Sequence, residues 1–471
     1  MPGKTEVFSP ALDVTQESNA MLALSRYNYF APWRDGYYLA YNASSGAVAL
    51  LTEENYHALQ GLLLKVRDQH TEQLNPEEQK LLDQLKYGKF VQPTEPSELD
   101  ILRFESQRAK YDASSLGLVI APTMACNMAC VYCYETTRVG RMTADTATAM
   151  VNFVEKQAKD LKDLSVTWYG GEPLLALDIV EELTNRILSV TEKNNVKYSA
   201  MIVTNGYLLD QPTVDRLRRL SVTSAQVTLD GPAAIHNRKR PLVNGRPSFD
   251  TIIRNLVYAT TRLRIGLRVN VDKEFTRDTV GLLLDELEAA GIRDRVSVNF
   301  ALIEPVTTVC ANISENCYDN AGFSSVETEY YALLSERGFR IEKLPSPSPA
   351  ACMAQLINAF VVDPDGDLYR CWNYVGNKTR VCGNIARDVD YKNAEYLRLF
   401  TFDPYANVKC RDCNILPLCQ GGCPSRRVDR EMTADQQCES WRFNLEPMLD
   451  LIARSRWQQM QNAKQEAKKS V

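Results

Sequence analysis

The chain has 471 residues, 45% hydrophobic and 24% charged, a balance close to that of ordinary globular proteins that excludes general disorder and a low-complexity scaffold. Its 54 Lys and Arg stand against 59 Asp and Glu, and the formal charge of -5 gives nucleic acid no general attraction. The length predicts two or three domains, and because no run of 18 apolar residues and no signal-like start occurs, the expectation is a cytoplasmic protein with neither membrane nor nucleic-acid partner.

Residues 21 to 51 read as short β segments around a turn, LALSRYNYF, YYLAYN and AVALL. Thr52 can cap a helix through ENYHALQGLLLKV, and Asn75-Pro76-Glu77-Glu78 is a strong start for another, with Pro at the first helical position. VQPTEPSE (91–98) reads as a linker, closing a small α+β unit over 1–97. From 116 to 303 six β-rich runs alternate with amphipathic stretches: LGLVIAPT, LSVTWYGG, YSAMIVTNG, AQVTLDG, IGLRVNVD and VSVNFALI. Parallel strands need crossovers of this length, so an α/β partial (β/α)6 TIM-like barrel is predicted within 98–343, with its chemistry at the C-terminal strand ends. The distinctive polar and glycine residues fall at those ends or in the strands leading to them: a cysteine loop, GGEP, TNG, LDG and RVN. KLPSPSPAA (343–351) is a stiff connector to a segment over 344–440 that holds eight of the 13 cysteines, and 441–471 is a helix fraying into a basic tail.

In a reducing compartment clustered cysteines point to metal binding or catalysis rather than disulfides. Only His57, His70 and His236 exist, none beside a cysteine group, which favours all-thiolate zinc or iron–sulfur sites. Cys126, Cys130 and Cys133 form a CxxxCxxC triplet whose loop has no fourth ligand. A closed structural zinc needs four. A cube of four irons held by three thiolates leaves one iron vacant, where a small molecule can chelate.

Across 116–303 the sequence resembles the radical SAM superfamily, whose signature carries an aromatic residue before the last cysteine, here Tyr132. The resemblance implies a [4Fe–4S] cluster binding S-adenosyl-L-methionine, reductively cleaved to methionine and a 5′-deoxyadenosyl radical. It further implies cofactor contacts from Tyr132, from Gly170, Gly171, Glu172 and Pro173 of GGEP, from Asn205 of TNG, and from Thr228 and Arg268, the last a fitting partner for a planar carboxylate. GGEP and TNG are also turn sequences, and their order along consecutive strands behind the cysteines carries more weight than either alone.

Cys352, Cys371, the run Cys410, Cys413, Cys419 and Cys423, and then Cys438 match the seven-cysteine SPASM extension, which implies two auxiliary [4Fe–4S] clusters. Paired zinc ribbons are the alternative. By resemblance Cys410, Cys413, Cys419 and Cys438 ligate the outer cluster, and Cys352, Cys371 and Cys423 the inner one. The inner fourth position is open to Cys310, Cys317, Cys382 or a substrate group, each of these thiols being equally readable as structural.

Auxiliary clusters can accept the electron that leaves a substrate radical, and many substrates of this class are peptides. The first hundred residues resemble the small winged PqqD-like domain that recognises leader peptides, a module able to add the leader as a strand; a cap over the barrel is the other reading. The expected function is therefore a radical SAM oxidoreductase that matures a ribosomal precursor peptide, with a thioether or carbon–carbon cross-link favoured over epimerisation or backbone excision. Implied partners are a flavodoxin or ferredoxin reductant and, as a further candidate, an accessory subunit. An anaerobic sulfatase-maturating type of enzyme and a non-enzymatic iron–sulfur carrier are the alternatives. No catalytic residue is nominated.

Overall fold

The computed structural model describes residues 21–34, 36–70, 74–135, 140–304, 315–430, 432–433 and 436–469, with side chains as far as 458. The early β segments become β1 (Leu22–Leu24), β2 (Asn28–Pro32), β3 (Tyr37–Asn42) and β4 (Ala47–Thr52), and β2–β3–β4 form an antiparallel meander. Thr52 Oγ1 accepts from Asn55 N at 3.2 Å and starts α1 (Glu53–Arg67). Asn75 and Glu78 cap reciprocally at the head of α2 (Pro76–Tyr87), satisfying amides that have no helical partner.

The segment read as a linker is a structural element. Val91–Pro93 forms β5, antiparallel to β1 with Leu24 opposite Val91, and Ser97 then caps α3 (Glu98–Lys110). Helix α3 has no fully buried residue, so it lacks the apolar stripe by which a helix is recognised.

Six parallel strands follow in sequence order: β6 (Ser115–Ile120), β7 (Asp163–Trp168), β8 (Lys197–Thr204), β9 (Val222–Thr228), β10 (Arg264–Val271) and β11 (Val296–Leu302). The crossovers carry α4 (Ala144–Gln157), α5 (Leu177–Lys193), α6 (Gln211–Arg219), α7 (Ala233–Lys239), α8 (Phe249–Ala259) and α9 (Arg277–Ala289), with α10 (Asn320–Glu336) beyond β11. Leu118, Val166, Ile202, Val227 and Leu267 pack with Leu183, Leu217, Leu256 and Leu283 into one buried core. Burying each such side chain contributes about 1.5–3 kcal/mol.

The barrel does not close. The free edge of β6 takes β12 (Ala359–Val362) in parallel, with Ala359 opposite Gly117, and the sheet continues through antiparallel β13 (Asp367–Tyr369) and β14 (Gly383–Asn384). The cysteine-rich segment thus shares a nine-stranded sheet with the barrel. The proline-rich connector is held at two points along its span, Tyr41 Oη donating to the Pro345 carbonyl at 2.8 Å and Ser348 N to the Pro417 carbonyl at 2.9 Å. A final helix over Trp441–Lys469, interrupted at non-helical Asn444, packs on α10, where Asn444 Nδ2 donates to Glu327 Oε2 at 2.9 Å. Among the described residues no helix is long and apolar enough to cross a membrane.

Candidate active site

The cysteine loop leaves the C-terminal end of β6 and is fixed from two sides. Gly171 N donates to the Thr123 carbonyl at 3.2 Å and Glu172 N to that of Ala125 at 2.8 Å. A Cβ on Gly171 would lie 2.3 Å from the Ala125 oxygen, and one on Gly170, whose φ is +113°, 2.4 Å from the Thr123 oxygen, so both positions demand glycine. On the other side Ala129 N donates to the Pro241 carbonyl at 2.8 Å, Val131 N to that of Lys239 at 3.1 Å, and Val243 N to that of Asn127 at 2.9 Å.

Glu172 is fully buried. Its carboxylate accepts from Leu174 N at 3.1 Å, Thr204 Oγ1 at 2.8 Å and Asn205 N at 2.8 Å, which ties the end of β7 to the end of β8. Burial pushes its pKa up, against the pull of these donors. Neither Glu172 nor Pro173, which opens a 3-10 turn over Pro173–Ala176, lines the cavity at these strand ends.

That cavity has a volume of about 510 Å³ and is lined by Cys126, Cys130, Cys133, Tyr132, Gly170, Gly171, Asn205, Thr228 and Arg268, which the sequence had placed on five separate segments. Thr228 and Arg268 are cross-strand partners, and Arg268 Nε donates to Asn270 Oδ1 at 2.9 Å. Asn205 Nδ2 donates to Asn127 Oδ1 at 2.7 Å within the cysteine loop.

Sequence reasoning missed a buried polar knot beneath the loop. Tyr132 Oη donates to Asp230 Oδ2 and accepts from Arg240 Nη1 at 2.6 Å and Asn270 Nδ2 at 3.0 Å. Asp230 is fully buried, Arg240 is 7% exposed, and the pair stands 3.9 Å apart. Burial raises the Tyr132 phenol well above its usual range. Asp230 Oδ1 takes the Asn270 amide at 2.9 Å, while Asp230 N donates to His236 Nδ1 at 3.1 Å. Asp230 was signalled by LDG; Arg240 had no local signal.

The loop's donor set fits a larger cluster better than a single zinc. A single zinc with Zn–S near 2.3 Å would hold its sulfurs about 3.8 Å apart. Among the described residues no three thiols lie within 4.8 Å of one another. Burial pushes the Cys126 pKa up to about 12, so the thiolate form requires a compensating cation. Wide spacing and half-buried thiols suit a multi-iron group.

Residues 120–287 match the Radical SAM superfamily. The chain carries a radical SAM domain. A radical SAM domain implies a [4Fe–4S] cluster and S-adenosylmethionine, and the chain is an enzyme. Among these, a cysteine-type anaerobic sulfatase-maturating enzyme of Clostridium perfringens is 26% identical over 366 residues, 69% of this chain and 94% of that protein. Mycofactocin maturase MftC of Mycolicibacterium smegmatis is 25% identical over 317 residues, covering 64% and 76%. In fold, the chain resembles native anSMEcpe with bound AdoMet (TM-score 0.59, 22% identity, 72% of this chain and 99% of that one). It also resembles Streptococcus suis SuiB bound to precursor peptide SuiA (TM-score 0.51, 17% identity, 87% and 97%).

Two further thiol groups accompany the radical SAM domain. Cys410, Cys413, Cys419 and Cys438 line one cavity of about 330 Å³, together with Lys409, Arg427 and Arg442. Cys371 and Cys423 meet at Ser425, whose Oγ is 3.8 Å from Cys371 Sγ and 3.3 Å from Cys423 Sγ, and Cys352 packs with Cys371 around Ala354 and Leu399. Burial raises the pKa of Cys352, Cys410 and Cys438, and takes Cys371 and Cys419 to about 12.

This second group reaches the first cavity, since Trp372 and Asn373, directly after Cys371, form part of its wall, and Trp372 meets Tyr169 edge-on at 5.0 Å. Of the three thiols weighed for the inner fourth position, Cys382 sits in the main apolar core and donates to the Leu368 carbonyl at 3.2 Å. Cys317 lies just before α10, and Cys310 is outside the described residues.

Proposed function

We propose that this enzyme matures a ribosomally made precursor peptide by hydrogen-atom abstraction, forming a thioether or carbon–carbon cross-link in preference to epimerisation or backbone excision. The observation that carries the reading is the extent of the fold likeness. It covers 87% of the chain with SuiB against 72% with anSMEcpe, a difference about the size of the unit over 21–93. In that unit β2 and β4 are edge strands of the meander, and either can accept a leader peptide as an added strand. The units are drawn at 1–97, 98–343, 344–440 and 441–471.

Cys126, Cys130 and Cys133 hold the cluster that, with S-adenosylmethionine bound, supplies the hydrogen-abstracting radical. The backbone of Gly170 and Gly171, Asn205, Thr228 and Arg268 bind and orient the cofactor, and the Arg268 guanidinium pairs with its carboxylate. Glu172 and Pro173 act from behind the wall, setting the strand ends that carry those groups. Tyr132, Asp230 and Arg240 hold the loop in register. Cys410, Cys413, Cys419 and Cys438 hold the outer auxiliary cluster; Cys352, Cys371 and Cys423 hold the inner one, and Trp372 and Asn373 screen it from the reaction cavity. A flavodoxin- or ferredoxin-type protein supplies electrons, and an accessory subunit is a further candidate partner. Cytoplasmic location belongs to the same proposal.

Anaerobic co-production with the small peptides encoded beside the gene, followed by mass spectrometry, tests this. Loss of two hydrogens indicates a cross-link, unchanged mass with altered stereochemistry epimerisation, and loss of a residue-sized fragment excision. The second reading, oxidation of a cysteine or serine in a sulfatase, is favoured by the 94% coverage of the Clostridium perfringens enzyme. It is supported if every neighbouring peptide stays unmodified while a sulfatase peptide is converted.

A further inference from the structure

The inner faces of β9, β10 and β11 depart from what a parallel barrel requires. Such strands are usually apolar on both faces, and barrel interiors are filled by branched apolar side chains. Here Ala225, Val227, Ile265, Leu267, Val298 and Phe300 are buried, whereas the alternate positions are small or polar. The register stacks those alternates in rows. Ser224 lies opposite Arg264, Gly266 is flanked by Gln226 and Ser297, and Arg268 by Thr228 and Asn299. This face bounds a second cavity of about 460 Å³. Gln226 and Arg268 line both this cavity and the first, so the reaction site continues along the strands towards their N-terminal ends. There Arg264, Asp294, Arg340 and Glu342 surround a charged mouth.

We propose that this tract binds an extended segment of the substrate peptide, adjacent to the residue being modified, and lets it leave through the base of the barrel. The inference rests on the reading of the enzyme as one that acts on a peptide. Ser224, Gln226, Ser297 and Asn299 offer hydroxyl and carboxamide groups, which both donate and accept and so match the alternating N–H and C=O of an extended backbone whatever its side chains. Gly266 leaves the floor open at the middle row. Four residues of strand separate the Arg264 and Arg268 rows, about 13 Å, room for roughly four residues of extended peptide.

Filling the floor tests the proposal. A Cβ on Gly266 would meet Ser297 Oγ at 3.7 Å and Asn299 Nδ2 at 3.9 Å, ordinary contacts, so Gly266→Phe projects into the tract without displacing backbone. With the wild-type enzyme's own peptide, found by co-production, kcat/KM should fall about tenfold or more, and 5′-deoxyadenosine release without peptide is the control for the cofactor end. In a second variant, Ser224→Cys at a half-buried position of the same tract, N-ethylmaleimide labelling mapped by mass spectrometry should be rapid in the free enzyme and suppressed by saturating peptide. Undiminished modification by Gly266→Phe, or labelling of Ser224→Cys at equal rates with and without peptide, overturns the tract. If the wild type converts only a sulfatase peptide, the precursor-peptide reading fails, and the same two variants then decide the tract with that peptide.

Discussion

Substituting Gly171 by alanine is the most direct probe of how the cysteine loop is held. The added methyl carbon would sit 2.3 Å from the Ala125 oxygen and 2.4 Å from the Met124 oxygen, both backbone atoms with no rotamer to relieve them. Close carbon–oxygen contacts lie near 3.3 Å, so the loop must retreat by about 1 Å. The retreat breaks or stretches the bonds from Gly171 N to Thr123 and from Glu172 N to Ala125, a loss of about 2 kcal/mol at 0.5–1.5 kcal/mol each. A domain stable by roughly 5–15 kcal/mol survives that. The chemistry should not survive as well, because a displacement of about 1 Å at a reacting centre can cost about 10²-fold. Gly171→Ala is therefore expected to fold with an unaltered circular dichroism spectrum, bind less iron at Cys126, Cys130 and Cys133 on anaerobic reconstitution, and release 5′-deoxyadenosine about a hundredfold more slowly. Full iron content with wild-type release would refute the account of GGEP as the dock for the loop.

Asp230→Asn strips the buried charge that faces Arg240 and Tyr132 and should destabilise the protein by about 3–5 kcal/mol in a denaturant titration. Alanine at Cys410, Cys413, Cys419 or Cys438 should remove one cluster's worth of iron per chain, whereas Cys382→Ala should leave iron content unchanged and cost about 1–2 kcal/mol of stability; iron loss in the latter would restore Cys382 as an inner ligand. His236, held neutral by burial and by Arg240, titrates in the fold well below 6.5. Its folded pKa is the lower one, so its contribution is complete above 6.5 and is lost as pH falls below that value, by up to about 1.4 kcal/mol per pH unit. Melting of His236→Gln should be correspondingly flatter between pH 5 and 7.

Much of this architecture was legible in the chain because its signals are local. The six barrel strands fall within a few residues of their apolar runs, and Thr52 and Asn75 cap where their hydroxyl and carboxamide predicted. What escaped notice depends on partners distant in sequence. Val91–Pro93 becomes a strand only through residues 22–24, and the AFVV run of β12 joins β6 across more than two hundred residues. The same limit governed the site. Cysteine spacing and strand-end motifs named the groups around the main cavity, but Arg240 joins through the fold, and Glu172 turned out to knit strand ends behind the wall.

Because β6 hydrogen-bonds to β7 on one side and to β12 on the other, and β12 in turn to β13, the loop bearing Cys126 and the segment bearing Cys371 grow from threads of a single woven ply with only β12 between them. A hinge between those two regions would have to tear a ladder of main-chain bonds. Their separation is therefore set by main-chain pairing, and traffic into the reaction chamber must pass around this seam rather than by prising it apart.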